Sequence, residues 1–179
     1  MPGQSRPLSC HGAGANVWPQ VGAWPGAAAV VHTLVAGFAN PEDDEIRELL
    51  LRMRRIAIVG LSPKPYRDSH RVARYLLERG YEIVPVYPRE EEILGQRVFR
   101  RVQDVPGPVD VVDVFRRSEE LPGVIDDALA ARAGALWLQF GCIDEPGAAR
   151  AEAAGATVVM DRCLMVDHAR LLGRGFRRD

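Results

Sequence analysis

Apolar positions along the chain alternate between two periods. Residues 42–53 (EDDEIRELLLRM) place Ile46, Leu49, Leu50 and Met53 on one face of a predicted helix, with acids in its first turn and arginines at its end. Residues 55–62 (RIAIVGLS) form a short apolar, β-branched run of the kind found in a strand buried on both faces. A second helix is predicted over residues 69–79, with Val72, Ala73, Leu76 and Leu77 inward and Gly80 as its stop. Strand-type runs recur at residues 81–88 (YEIVPVYP), 109–115 (VDVVDVF), 134–140 (GALWLQF) and 156–161 (ATVVMD). Helices are predicted near residues 122–132 and 145–154, and a short extra strand at 96–100.

Strands alternating with helices of this length predict an α/β fold: a Rossmann-like, doubly wound, mainly parallel sheet in a single domain, covered on both faces and joined by right-handed crossovers. A chain of 179 residues with 47% hydrophobic residues suits one such core. A net charge of -1 argues against a dedicated binder of nucleic acid or of an acidic membrane, so any basic site must be local. Cys10, Cys142 and Cys163 are far apart, which suggests neither a zinc site nor a disulfide framework but reduced thiols in a cytoplasmic protein.

Composition changes near Asn40. Residues 1–40 carry Arg6 as their only formal charge and are rich in Ala, Gly and Pro, whereas charged residues are frequent afterwards. The expected organisation is therefore an extension, or a misassigned start, over 1–40 and a folded domain over 41–179. The apolar run at 27–39 is too short to span a membrane, and the stretch before it lacks the cationic start of a signal peptide. His11, His32 and Cys10 have no ligand spacing.

Folds of this class bind ligands at the carboxyl ends of their strands. After the first strand the chain reads GLSPKPYRDSH, with one glycine where a dinucleotide fingerprint has three. Gly60 allows a close backbone approach, and Ser62, Lys64, Arg67 and Ser69, with the free amides opening the next helix, compose an anion site suited to phosphate. Between Gly60 and Arg71 stand three cations (Lys64, Arg67, Arg71) and one anion (Asp68), with His70 as a further donor. The bland reading is a surface turn stiffened by Pro63 and Pro65. A NAD-binding domain ends its second strand with an acid. Here the chain reads VPVYPRE, and Arg89 suits a phosphate on the adenosine ribose, as in NADP or coenzyme A (CoA), unless it merely pairs with Glu90 or Glu91.

Three segments in order, IAIVGLSPKPYRDSHRVARYLLERGYEIVPVYP, PVDVVDVFRR and VVMDRCLMVDHARL, resemble the small CoA-binding proteins whose single domain is similar to the CoA-binding domain of succinyl-CoA synthetase α subunits. The resemblance spans about residues 42–172 and implies CoA as ligand. It implies that the loop from Gly60 through Leu61, Ser62, Lys64 and Arg67 to Ser69 meets the phosphates. Pro88 and Arg89 then flank the nucleotide, while Phe115, Gln139, Phe140 and Gly141 border the pantetheine route. Tyr87 stands where the family commonly shows Asn and Met165 where it commonly shows Lys, and residues before 40 have no counterpart in it.

The segment holding Asp161, Arg162, Cys163, Asp167 and His168 admits a Cys–His nucleophile and base. Spacing does not aim Cys163 at His168, however, and the preferred reading is structural, with Asp161 and Arg162 as an ion pair closing the sheet's end. Leu136, Trp137 and Leu138 read as core. No catalytic or metal-ligating residue is assigned. The expected function is a protein that binds CoA or an acyl-CoA, with no nucleic-acid or membrane partner and without catalysis of its own; an NADP-dependent oxidoreductase is the alternative.

Overall fold

The computed structural model describes residues 37–178. Five parallel strands, β1 (Arg55–Val59), β2 (Glu82–Val86), β5 (Val111–Val114), β6 (Ala135–Leu138) and β7 (Thr157–Met160), form one sheet in the order β2-β1-β5-β6-β7. A two-stranded antiparallel ribbon, β3 (Glu92–Ile93) and β4 (Gln96–Arg97), follows β2. The helices are α1 (Asp43–Arg52), α2 (Asp68–Leu77), α3 (Leu121–Ala130), α4 (Glu145–Ala153) and α5 (Leu164–Leu172). The expected Rossmann-like α/β fold is therefore present, in the five-strand order whose direction reverses between β1 and β5. Each predicted strand is trimmed by one to three residues at one or both ends, although single backbone hydrogen bonds such as Gly60 N–H to Val86 O and Phe115 N–H to Val59 O continue past the strand ends. The extra strand predicted at 96–100 is shorter still, and α5 was not anticipated.

Strand alternation divides the core in two. Val59, Val86, Val114, Leu138 and Met160 join Leu121, Ile125, Ala128, Ala148 and Ala151 of α3 and α4 in one apolar cluster. The other face meets α1, α2 and α5, whose buried residues include Ile46, Leu49, Leu50, Val72, Ala73, Leu76 and Leu164. Helix α1 starts where its sequence predicts. The Glu42 amide donates to Glu45 Oε2 at 3.1 Å, and Asp43, Asp44 and Glu45 face the positive end of the helix dipole.

Both sheet edges are closed. Pro85, which lacks an N–H, sits in the edge strand β2, and its carbonyl accepts from the Phe99 amide at 2.9 Å while the Tyr87 amide donates to Phe99 O at 3.0 Å. At the opposite edge the Asn40 side chain imitates a strand. Its Nδ2 donates to Met160 O at 2.9 Å, and the Met160 amide donates to Asn40 Oδ1 at 2.7 Å. Phe38 packs against the α3–α4 core. The compositional boundary at residue 40 thus cuts through this clasp; the rest of the predicted extension lies outside the described residues.

The carboxy-terminal clasp is also structural. His168 is fully buried, with Nδ1 3.1 Å from the Tyr75 hydroxyl and Nε2 3.1 Å from the Tyr81 hydroxyl, which donates to Leu50 O. Rings of Tyr75, Tyr81 and Phe176 meet it edge-on. Gly80 has φ +84°, and a Cβ there would lie 2.7 Å from Arg178 O, so the stop glycine also admits the chain end.

Two outcomes follow for stability. Asn40→Ala orphans the Met160 amide and carbonyl, at a cost of about 1–3 kcal/mol, and thermal melting is expected to fall by roughly 2–4 °C per kcal/mol. Burial, then Arg79 and Arg178, lowers the His168 pKa from 6.5 to about 4. The neutral ring is the one the fold accepts, so its stability contribution is complete above about pH 6.5 and declines as pH falls toward 4. Urea titrations of wild type and His168→Gln across that window are expected to show the steeper acid loss in wild type.

Candidate functional site

The reversal of strand order places a crevice at the carboxyl ends of β1 and β5. There the two loops touch. The Phe115 amide donates to Val59 O and the Gly60 amide to Val86 O, both at 2.9 Å. Gly60 has φ +86°, and a Cβ on it would lie 2.4 Å from the Phe115 carbonyl oxygen. Its close backbone approach is therefore to the chain's own second loop, a packing that no other residue type permits.

The loop after Gly60 is braced from within. The Ser62 amide donates to Ser69 Oγ at 3.0 Å, Ser62 Oγ accepts from the Lys64 amide at 3.2 Å, and His70 Nδ1 lies 3.1 Å from Ser62 O. Leu61, Ser69 and His70 are buried, so their side chains shape the loop instead of facing solvent. Lys64 and Arg67 are exposed, and Arg71 pairs with Asp68 at 3.3 Å. At the start of α2 the amides of Asp68 and Ser69, beside these cations, have no backbone partner among the described residues, whereas those of His70 and Arg71 both donate to Arg67 O. After β2, Pro88 and Arg89 are exposed. Arg89 does not pair with Glu91, which is held by Arg100, and neither Lys64 nor Arg89 has an ion-pair partner among the described residues.

Phe115, Gln139 and Phe140 come together at the strand ends. They share the walls of two adjoining cavities, one of about 890 Å³ rimmed by Arg116, Arg117 and Glu120, the other of about 310 Å³ beneath α2 and α5. Phe140 is 66% exposed. Gly141 is engaged elsewhere, its amide donating to Asp161 Oδ1 at 2.8 Å and its carbonyl accepting from Ser118 Oγ at 3.2 Å. A third cavity, of about 330 Å³, lies at the ends of β1 and β2, with Val59, Val86, Val102 and Val124 in its lining and Arg100, Arg101 and Arg116 around it.

The carboxy-terminal segment behaves structurally, with different partners from those expected. Arg162 pairs with Asp167 at 2.7 Å and with Asp43 at 3.4 Å, not with Asp161, because Asp161 turns to Gly141. Asp43 is also held by Arg170, which with Arg162 lowers its pKa to about 2. Cys163 and His168 do not meet: the imidazole is bound by two tyrosines, while the Cys163 thiol lines the 310 Å³ cavity with its pKa raised by burial. The nucleophile–base reading thus has no geometry to support it. No metal-binding cluster occurs, and no helix is long and apolar enough to cross a membrane, among the described residues.

The sequence reading passed over Asp113. It lies in the central strand β5, is fully buried, and accepts from Gln139 Nε2 at 2.7 Å through Oδ1, while Oδ2 has no partner. Burial pushes its pKa up to about 7, against the Gln139 hydrogen bond and the Val114 amide, which favour the charged form. The signal was visible in VVDVF, since an acid inside a run buried on both faces has no cheap solvent. Gln139 accordingly spends its amide on Asp113 at the floor of the site.

The model of the CoA binding domain family matches residues 54–169. The chain belongs to this CoA-binding family. It is 45% identical over 130 residues to the uncharacterized protein YneT of Bacillus subtilis, covering 73% of this chain and 96% of that one. A solved hypothetical protein from Pyrococcus horikoshii superposes with a TM-score of 0.73 at 37% identity, over 78% of this chain and 100% of its own. A shorter stretch of 59 residues is 37% identical to the α subunit of an ADP-forming acetate–CoA ligase of Pyrococcus furiosus, 32% of this chain and 13% of the ligase subunit. The family match runs from just before β1 into α5, and so takes in every loop that builds the crevice.

Two substitutions test this construction. Gly60→Ala is expected to be strongly destabilising or to prevent folding, because the new Cβ meets backbone and not a movable side chain. For Asp113 the folded-state pKa lies above the ordinary 3.8, so ionisation favours the unfolded chain and stability falls as pH rises from about 4 to about 7. Asp113→Asn is expected to flatten that slope in chemical denaturation, leaving the opposing His168 slope in place.

Proposed function

We propose that this chain binds CoA or an acyl-CoA in the cytoplasm and performs no chemistry of its own. The observation that carries the reading is the crevice at the strand-order reversal of a CoA-binding family member, with cavities on both sides of Gly60 and Phe115. Elongated ligands suit such a crevice. The nucleotide end fits toward β2, where Val59, Val86 and Val102 offer an apolar floor for a purine and Arg89 stands available for a ribose phosphate. Lys64, Arg67 and the open amides of α2 suit the diphosphate. The pantetheine arm then passes Phe115 and Phe140. The likeness to a stretch of an acetate–CoA ligase subunit supports the ligand class. The absence of chemistry is supported by the Cys142 and Cys163 thiols and the His70 ring beside the site, all buried, the ring lying against Ser62 O.

Calorimetry with CoA, NADP and NAD tests this, with CoA expected to bind most tightly; tighter binding of NADP would favour the oxidoreductase alternative. Arg89→Glu and Lys64→Glu are each expected to weaken CoA binding by about 1–3 kcal/mol, the scale of a lost charge-assisted hydrogen bond. That loss should shrink as salt rises. Unchanged affinity in both variants would place the phosphates elsewhere.

A further inference from the structure

The 310 Å³ cavity flanks the expected path of the pantetheine arm, between the first turns of α2 and α5. Its walls come from Val72 of α2, Phe115 and Phe140 at the strand ends, and Cys163 and Met165 at the start of α5, with Gln139 also in the lining. The charged residues in the lining, Asp68 and Arg71, pair with each other at 3.3 Å. No lining charge is thus left to demand an ionic occupant. The Cys163 thiol stays protonated because burial raises its pKa, so it adds polarisable apolar surface. Continuity with the larger cleft is direct, since Phe115, Gln139 and Phe140 belong to both linings. A ligand arm reaching the larger cleft therefore has a largely apolar compartment adjoining it.

We infer that this compartment holds the acyl group of a short, uncharged acyl-CoA, so that the site distinguishes such thioesters from free CoA. This rests on the CoA reading above. The volume sets the size: at roughly 30 Å³ per water-sized group it admits about ten non-hydrogen atoms, which covers acetyl to hexanoyl and excludes long fatty chains. Apolar burial sets the gain, about fourfold in affinity for each methylene taken from water. Met165 sets the limit, because it also lines the separate groove of about 410 Å³ between α2 and α5. The residue is half-buried and forms the partition between the two spaces.

The experiment is calorimetry of the full chain with free CoA, acetyl-, butyryl-, hexanoyl- and dodecanoyl-CoA and the acidic succinyl-CoA, repeated for Met165→Trp and Met165→Ala. Wild type is expected to bind butyryl-CoA at least about tenfold more tightly than free CoA, with succinyl-CoA gaining nothing. Met165→Trp fills the compartment and is expected to abolish that preference while leaving free CoA within about twofold of wild type. Met165→Ala opens the partition toward the 410 Å³ groove and is expected to bind dodecanoyl-CoA, too long for the wild-type compartment, more tightly than wild type does. Equal wild-type affinity for CoA and all its thioesters would overturn the acyl compartment and leave the CoA reading standing. So would a Met165→Trp variant that weakens CoA and thioesters equally, since the compartment would then hold part of CoA itself. Failure of wild type to bind CoA or any thioester would overturn both.

Discussion

The contact between Gly60 and the carbonyl of Phe115 is the constraint on which the binding end of the molecule depends. It joins the loop after β1 to the loop after β5 at the place where the strand order reverses, and leaves no room for a side chain. Hydrogen bonds from Gly60 to Val86 and from Phe115 to Val59 extend the ladder past the formal strand ends and lock three neighbouring strands in register. Because the loops are held this tightly, the cavities on either side keep defined walls, as a preorganised ligand site requires.

Polar groups buried in the core divide by the end of the sheet they serve. Toward the carboxyl end, Asp113 occupies the central strand and holds Gln139 beneath the crevice, a costly placement that burial registers as a raised pKa. At the opposite end, His168, Tyr75 and Tyr81 satisfy one another and fasten α5 and the chain end to α1 and α2. The first arrangement leaves one carboxylate oxygen without a partner, whereas the second pairs both ring nitrogens. Strain of the first kind concentrates where ligands are handled; satisfied networks of the second kind hold a fold together.

The fold was legible because burial on both faces writes continuous apolar runs, and the helices between them write a clear longer period. α5 escaped because LMVDHARLL mixes buried polar residues into its inner face: Asp167 and His168 are both inside, the first paired with nearby Arg162 and Arg170, the second with tyrosines from a distant part of the chain. The site was legible in outline. Phe115, Gln139 and Phe140 sit where strand ends predict, and Lys64 and Arg89 are exposed without ion-pair partners among the described residues. Ser69, Leu61 and Gly141 are turned to internal contacts, which their residue types alone do not reveal.

By itself the sequence determined the order and type of most elements, the position of the reversal loop and the family, since all of these follow from local periodicity and from residues adjacent along the chain. Tertiary structure alone decided which charges pair, which polar groups are buried and where empty space remains. Arg162 illustrates the difference, choosing Asp167 and Asp43 over its neighbour Asp161. Asn40 illustrates it again, closing an edge strand 120 residues away. Such partners are set by which surfaces the folded sheet and helices bring within hydrogen-bond reach, and that distance is not encoded in sequence separation.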